Sequence, residues 1–283
     1  MQEEKLIVPK FTIIITTKCN LKCKLCCEYV PQNKPFDDIT VLECRNILNK
    51  FFKVVDHVQT LHLSGGGEPF LHKQLGRLIE ECMVYTDQFD RLMLFTNSTV
   101  VPTDDLLNVL HKYKERLVVQ VSHYGIMRDR ERTVLELLQH TGVTIKFQKY
   151  YGDDQTFGGW VDFGEWKDHQ RSRDELETVY HNCGITSNMK GNWRTRDGKI
   201  HWCSRSQRGN ELGLIPDFKD DYIDLFDETP MKEKRKRFRT FLERPYIDAC
   251  RFCNGDVGTQ EIEKRYRAAE QMQGDNNDIS RTV

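Results

Sequence analysis

Residues 11–26, with the sequence FTIIITTKCNLKCKLC, join an apolar run to three closely spaced cysteines. Residues 11–15 are β-branched or aromatic and predict a buried strand. Cys19, Cys23 and Cys26 follow at the spacing C-x3-C-x2-C. Thiolates bind soft metals, and cysteines this close together can hold three corners of a compact iron–sulfur cluster, leaving the fourth iron open. The alternative is a zinc knuckle or a group of free thiols, which three ligands without a nearby histidine do not favour.

The cysteine spacing resembles that of the radical S-adenosylmethionine (SAM) enzymes. The resemblance implies a [4Fe-4S] cluster held by Cys19, Cys23 and Cys26, with SAM bound to the open iron through its amino and carboxylate groups. Reduction by a flavodoxin- or ferredoxin-like donor then yields a 5′-deoxyadenosyl radical that abstracts a substrate hydrogen atom. Enzymes of this kind usually carry an aromatic residue before the third cysteine. Leu25 stands there in this chain and leaves the ligands unchanged.

A glycine-rich turn, GGGEP at residues 65–69, follows the second predicted strand, residues 59–64. Glycine lets a backbone approach a ligand closely, although a tight turn alone would also use it. In the radical SAM superfamily a G-G-E-P motif stands one βα unit after the cysteine loop and holds the methionyl ammonium of SAM. The resemblance therefore implies cofactor contacts at Gly65, Gly66, Gly67 and Glu68.

Polar residues also end the third and fourth predicted strands, residues 91–95 and 117–121. Asn97 and Ser122 resemble positions that contact the methionine and ribose ends of SAM in the superfamily. Asn and Ser also favour turns, so a plain strand-ending turn is the alternative for both. His123 is a further candidate contact, and its alternative is a half-buried histidine with a structural partner.

Composition narrows the class of protein. The 283 residues carry 42 basic and 43 acidic side chains, so nothing indicates binding to nucleic acid or to an anionic membrane. No apolar run approaches the ~20 residues that span a bilayer, and the charged N-terminus lacks the apolar core of a signal peptide. We therefore expect a cytoplasmic protein. Ten cysteines in a reducing compartment favour metal binding over disulfides.

Strands and helices alternate from residue 11 to about residue 150, which predicts an α/β fold with a parallel sheet. We expect a partial (β/α)6 TIM-like barrel over residues 8–180. A small unit of a β-hairpin and a helix should follow over residues 181–258. Residues 259–283 are expected to form a C-terminal helix and a disordered tail.

A second set of cysteines lies in the small unit: Cys183, Cys203, Cys250 and Cys253. Residues 193–202, between the first two, predict a hairpin that turns at Asp-Gly. This layout resembles the Twitch domain, a short form of the SPASM domain, which carries an auxiliary cluster in certain radical SAM enzymes. The resemblance implies a second [4Fe-4S] cluster with four cysteine ligands. Structural zinc is the alternative, because four thiolates also satisfy tetrahedral zinc.

The layout as a whole resembles radical SAM enzymes of the 2-deoxy-scyllo-inosamine dehydrogenase type. It implies oxidation of a sugar, aminocyclitol or nucleotide-sugar alcohol, with the auxiliary cluster as electron acceptor and a general base that the sequence does not identify. The close alternative is an epimerase of a sugar or peptide, in which a cysteine such as Cys27 donates a hydrogen atom. A different class, a non-catalytic iron–sulfur redox sensor, would explain the cysteines but not the glycine motif.

Overall fold

The computed structural model describes residues 4–64, 66–187, 191–256, 261 and 264–272, and an eight-stranded sheet runs through that part of the chain. The spatial order is β5-β4-β3-β2-β1-β6-β7-β8. Strands β1 to β5 are parallel to one another, β6 is parallel to β1, and β7 and β8 continue antiparallel. The strands are β1 (Ile7–Ile13), β2 (His57–Leu63), β3 (Phe89–Thr96), β4 (Leu117–His123), β5 (Thr144–Lys149), β6 (Arg194–Thr195), β7 (Lys199–His201) and β8 (Tyr222–Asp224).

Helices connect the parallel strands in the order that the sequence predicts. The α-helices are α1 (Val41–Val54), α2 (Leu75–Cys82), α3 (Asp104–Lys112), α4 (Arg128–Thr141), α5 (Arg173–Asn182), α6 (Gly184–Ser187), α7 (Ser204–Glu211) and α8 (Met231–Leu242). Short 3-10 helices occupy Val30–Gln32, Pro69–Leu71, Met83–Gln88, Lys219–Asp221 and Asp248–Phe252. None of the helices in the described ranges is long and apolar enough to cross a membrane.

The hydrophobic core lies between one face of the sheet and the helices. Phe11 and Ile13 of β1 are fully buried there, and the ring of Phe11 stacks on Phe51 of α1 with centroids 3.7 Å apart. Because side chains alternate along a strand, the residues between them face the other side of the sheet. Thr12 on that side contacts His62 of β2 at 3.2 Å. The sheet therefore has an apolar face towards the helices and a more polar opposite face.

The start of α1 differs from the sequence prediction. In the sequence, the acidic pair Asp37 and Asp38 predicts the start and the cap of this helix. In the structure Thr40 is the N-cap, and it exchanges hydrogen bonds with Glu43 in a capping box. The Asp38 carboxylate instead accepts hydrogen bonds of 2.7 Å from Thr16 and Lys18. It thus anchors the chain that follows β1.

The predicted hairpin is confirmed as β6 and β7, which turn at Asp197-Gly198. Gly198 has φ +97°, a conformation that favours glycine. The hairpin extends the sheet by pairing β6 with β1. Because β1 leads into the first set of cysteines, the second set lies beside the strand that precedes the first set.

The last described residues, 264–272, pair with two earlier segments of the chain. Tyr266 and Trp160 exchange two backbone hydrogen bonds of 2.8 Å, and Gln271 forms a β-bridge with Cys23. Most of the C-terminal helix and tail expected over residues 259–283 lies outside the described residues, and the domain boundaries stay predictions.

Candidate active site and second cysteine site

The first three cysteines lie together on the loop after β1. Cys19, Cys23 and Cys26 contact one small hydrophobic cluster that also contains Leu21 and Ala269. Burial raises the pKa of Cys19 to about 12 and that of Cys23 to about 11, and neighbouring thiols of the loop raise these pKa values further. Since only thiolates bind metal, the thiols must release protons when a metal group binds. We call residues 19–26 the cysteine loop.

Two glycines hold the turn after β2 against the cysteine loop. A Cβ atom at Gly67 would lie 1.9 Å from the Lys18 carbonyl oxygen, and one at Gly66 would lie 2.5 Å from that of Thr16. The backbone N–H groups of Gly67 and Glu68 donate 2.8 Å hydrogen bonds to these same carbonyls. Glycine is therefore required for close packing of the two loops. Gly65, also a predicted cofactor contact, lies outside the described residues.

Glu68 is a buried carboxylate that joins the ends of β2 and β3. It accepts hydrogen bonds from the Thr96 hydroxyl at 2.9 Å, the Asn97 N–H at 2.7 Å and the Phe70 N–H at 3.1 Å. Burial raises the pKa of Glu68 to about 7, against the lowering effect of these hydrogen bonds. The side chain is thus partly ionised near neutral pH and would be fully ionised beside a cation.

Asn97 lies against the cysteine loop. Its Nδ2 donates to Oδ1 of Asn20 at 3.0 Å and lies 3.8 Å from Sγ of Cys19, while its Oδ1 accepts from Thr99. Cys19, Glu68 and Asn97 therefore meet at the carboxyl ends of β1, β2 and β3. The ligands of parallel α/β sheets bind at this end of the strands.

Ser122 and His123 lie at the end of β4, the strand next to β3 in the sheet. Hydrogen bonding to Ser122 lowers the pKa of Tyr124 and of Tyr150, although burial raises both pKa values overall, that of Tyr150 to about 12. His123 Nδ1 lies 3.1 Å from the buried Glu131 carboxylate, which also accepts the N–H groups of the following loop. This geometry gives His123 a structural partner.

A buried ion pair that the sequence did not reveal links the cysteine loop to the hairpin. Arg194 of β6 donates two hydrogen bonds of 2.7 Å to the Glu28 carboxylate, and its Nε donates to Gln207 at 2.6 Å. Arg194 opposes the rise in pKa that burial imposes on Glu28. No motif pointed to this pair, because its partners lie 166 positions apart.

Cys27 follows the cysteine loop directly. Its side chain is accessible to solvent, yet surrounding protein raises its pKa well above the ordinary value. It interacts electrostatically with Tyr124 and Tyr150 at the strand ends and with Asp256 near the second cysteine site. Cys27 is therefore near charged or polar groups of both cysteine sites.

The second cysteine set surrounds one cavity. Cys183 ends α5, Cys203 caps α7, and Cys250 and Cys253 lie at the 3-10 helix Asp248–Phe252. All four line a cavity of about 460 Å³, including solvent at its open side, whose walls are otherwise largely apolar. Burial raises the pKa of all four thiols, and Cys183, Cys203 and Cys253 each add to the rise for Cys250.

The thiols are not arranged around one small ion. Among the residues that the structure describes, no three Cys, His, Asp or Glu side chains could hold a single metal ion. In tetrahedral zinc sites the Zn–S distance is about 2.3 Å, which brings the sulfur atoms into contact with one another. The cysteines of each set are nevertheless near enough to influence one another's pKa values.

Fold and site together define an α/β protein with a loop of three clustered cysteines at the carboxyl end of a parallel sheet. Residues 13–147 match the family model described as the radical SAM superfamily, so the chain contains a radical SAM domain. This domain implies binding of SAM and of one [4Fe-4S] cluster, for which the clustered cysteines provide a suitable set of donors. The identification from the cysteine and glycine motifs is confirmed.

Solved structures show the same fold over most of the chain. BtrN, a 2-deoxy-scyllo-inosamine dehydrogenase, in complex with AdoMet and 2-DOIA, is 14% identical, with a TM-score of 0.55, and the match covers 96% of this chain and 100% of that chain. Native anSMEcpe with bound AdoMet is 12% identical, with a TM-score of 0.53 and 88% of each chain covered. No curated protein sequence matches the chain. The predicted partial-barrel α/β fold is thereby confirmed.

Proposed function

We propose that the chain is a radical SAM oxidoreductase that oxidises an alcohol of a sugar, aminocyclitol or nucleotide-sugar. A second [4Fe-4S] cluster, held by Cys183, Cys203, Cys250 and Cys253 in the Twitch-like unit of residues 181–258, accepts an electron. The observation that carries the proposal is that all four cysteines line the same cavity. Four protein ligands leave such a cluster no open iron for substrate, which suits it to electron transfer.

The proposed reaction balances. SAM and its cluster, held at the cysteine loop, would supply the chemistry that removes the hydrogen atom of the carbinol C–H bond. The hydroxyl proton would go to a base of the protein and the remaining electron to a cluster held by the second set of cysteines, so that the alcohol becomes a ketone or aldehyde. A flavodoxin- or ferredoxin-like protein is the proposed donor of the electron that starts each turnover. The protein must position the C–H bond and exclude water.

The substrate site is proposed between the two groups of cysteines. Two observations support this placement: Cys27 interacts electrostatically with Tyr124 and Tyr150 at the strand ends, and it also interacts with Asp256, which lines the second cavity. The raised pKa of about 12 makes Tyr150 a poor base at neutral pH. The hydroxyl group of Tyr150 already donates to Gln148 at 2.7 Å. We assign it to substrate positioning and leave the base unassigned.

Product mass tests the proposal. Anaerobically reconstituted protein is incubated with SAM, dithionite and a panel of free and nucleotide-activated sugars, and 5′-deoxyadenosine and the sugars are followed by mass spectrometry. We expect 5′-deoxyadenosine together with a sugar two mass units lighter. The Cys253→Ala variant should lose iron and net turnover, whereas Cys44→Ala, a buried cysteine of α1, should keep both. No SAM cleavage with any substrate would favour the redox sensor.

An epimerase is the second candidate, and the accessible thiol of Cys27 favours it. The surrounding protein raises the pKa of that thiol well above its ordinary value, so the thiol stays protonated at neutral pH, as a hydrogen-atom donor requires. In deuterated water an epimerase would give a product of unchanged composition that gains one deuterium, and Cys27→Ala would stop the inversion. A product two mass units lighter from both wild type and Cys27→Ala would exclude this candidate.

A further inference from the structure

Helix α7 is polar over its whole length and yet buried. Its sequence is SRSQRGNE, and Arg205, Ser206, Gln207 and Arg208 are each at most 3% exposed. The helix begins at Cys203 and lies between the cysteine loop and the second cysteine cavity, which Arg205 helps to line. Burying a polar side chain costs free energy unless it forms hydrogen bonds or ion pairs. The groups that bind the polar side chains of α7 therefore indicate the role of this helix.

Arg205 holds the backbone around the last two cysteines. Its Nε and Nη2 donate to the Phe252 carbonyl oxygen at 2.9 and 2.6 Å, and Nη2 also donates to the carbonyls of Gly164 and Glu165 at 2.9 Å. The guanidinium lies 3.4 Å from the ring centre of Trp166. Arg205 thereby fixes the segment between Cys250 and Cys253.

Arg171 holds the same segment from the other side. Its Nη1 donates to the carbonyl oxygens of Cys250 and Cys253, each at 2.6 Å. Three of the four carbonyls in residues 250–253 therefore accept hydrogen bonds from two guanidinium groups. Two positive charges are thus placed on the backbone that presents two of the four thiols.

Neither cation has a carboxylate within 4 Å in the described part of the chain, unlike the neighbouring arginines. Arg194 and Arg208 pair with Glu28 and Glu211, whereas Arg205 contacts carbonyl oxygens, the Tyr29 hydroxyl group and aromatic rings. A buried cation without a counter-charge is costly, so an anionic group in the cavity would complete the site.

We propose that Arg171 and Arg205 are positioning residues that compensate the charge of the second cluster and raise its reduction potential. The inference rests on the proposed function. A [4Fe-4S] core with charge 2+ and four thiolates carries a net charge of 2−, and reduction makes it 3−. Nearby cations stabilise the reduced form more than the oxidised form, because the interaction grows with the charge. The cluster then accepts an electron more readily.

The test is a redox titration of the second cluster alone, followed by electron paramagnetic resonance. Cys19, Cys23 and Cys26 are replaced by Ala in the full-length chain so that only the second cluster is reduced. Arg205→Met and Arg171→Met should each lower the midpoint potential, and Arg205→Lys should restore much of the difference. Arg251→Met is the matched control: it removes a cation of the same segment that Asp168 already neutralises, and should leave the potential unchanged.

Each outcome decides a separate question. Midpoint potentials equal to wild type in both Met variants, with iron and sulfide retained, would overturn the inference and leave the proposed function intact. If the Arg205→Met variant loses its cluster, the midpoint potential of the Arg171→Met variant alone tests the inference, because Arg171 is only half-buried. Absence of any iron–sulfur cluster in the triple-alanine parent would overturn the proposed function itself.

Discussion

Glu68 shows how a single side chain combines structural and chemical demands. Its carboxylate is buried and accepts hydrogen bonds from three groups of the turn after β2 and the end of β3. A carboxyl group with a pKa of about 7 responds strongly to a neighbouring cation. The ammonium group of SAM would supply that cation and fix Glu68 in its ionised form.

We expect Glu68→Gln to weaken SAM binding by about tenfold or more, because a hydrogen bond to a charged group is worth about 1.5–3 kcal/mol. Affinity of the wild type should rise from pH 6 to pH 7.5, since the pKa of Glu68 is about 7 and only the ionised carboxylate attracts the ammonium. Calorimetric titration of the reconstituted protein with SAM at several pH values measures both effects.

The Gln variant should show a flat pH dependence over that range, and its side-chain oxygen can still accept the Asn97 N–H. Equal SAM affinity for wild type and Glu68→Gln would remove Glu68 from the cofactor site. Thr40→Ala is a suitable control, because it removes only the cap of α1, at a cost of about 1 kcal/mol of stability.

The C-terminal segment, residues 264–272, acts as a cover over the cysteine loop. Lys24 donates its N–H to Glu270, and Met272 donates its N–H to Lys22, each at 2.7–2.8 Å. The Gln271 side chain accepts the Lys22 N–H at 2.8 Å and donates to Sγ of Cys23 at 3.4 Å. A hydrogen bond to a ligand sulfur and a cover against solvent both adjust the properties of an iron–sulfur cluster.

Gln271→Leu should therefore lead to several-fold faster loss of the first cluster in air, because the cover loosens and the sulfur loses a donor. The decay of visible absorbance and the remaining iron content measure this loss. Glu270→Gln is the matched control: its ion pair with Lys24 is exposed and should contribute little. Equal decay in wild type and Gln271→Leu would contradict a protective role.

Across the molecule, the Glu28–Arg194 ion pair joins the cysteine loop to the hairpin that precedes Cys203. Both side chains are buried, and Arg194 also reaches α7 through Gln207. The pair thus connects the radical SAM domain with the second cysteine site. A buried ion pair holds relative positions well, because breaking it leaves one charge uncompensated.

Glu28→Gln should lower the free energy of unfolding by about 3–5 kcal/mol, as expected when one partner of a buried pair is removed. Replacing both partners, Glu28→Gln with Arg194→Met, should cost less than the sum of the single changes. Urea unfolding of the anaerobic apoprotein gives these values. Arg132→Met, in an exposed pair with Asp129, should change stability by less than about 0.5 kcal/mol. A similarly small effect of Glu28→Gln would show that the pair does not join the two parts.

Local features of this chain could be predicted because short stretches of sequence encode them. The alternation in β1, the Asp-Gly turn of the hairpin and the spacing of Cys19, Cys23 and Cys26 each depend on a few neighbouring residues. A threonine followed by two acidic residues is another local signal, typical of the start of a helix, and Thr103 caps α3 in the structure. Motif spacing was sufficient to identify the radical SAM domain.

Contacts between residues that are far apart in the sequence could be identified only in the folded structure. Gln271 reaches Cys23 across 248 positions, and Arg171 reaches Cys250 across 79, with no local pattern that marks either pair. Asp38 does not cap α1 because its carboxylate accepts hydrogen bonds from Thr16 and Lys18. These tertiary contacts override the local preference of an acidic residue for a helix cap. Local propensities are additive along the chain, whereas the partner of a buried charge depends on which elements the fold brings together. The two sets of cysteines could therefore be recognised in the sequence, whereas the cations next to the second set could be found only in the structure.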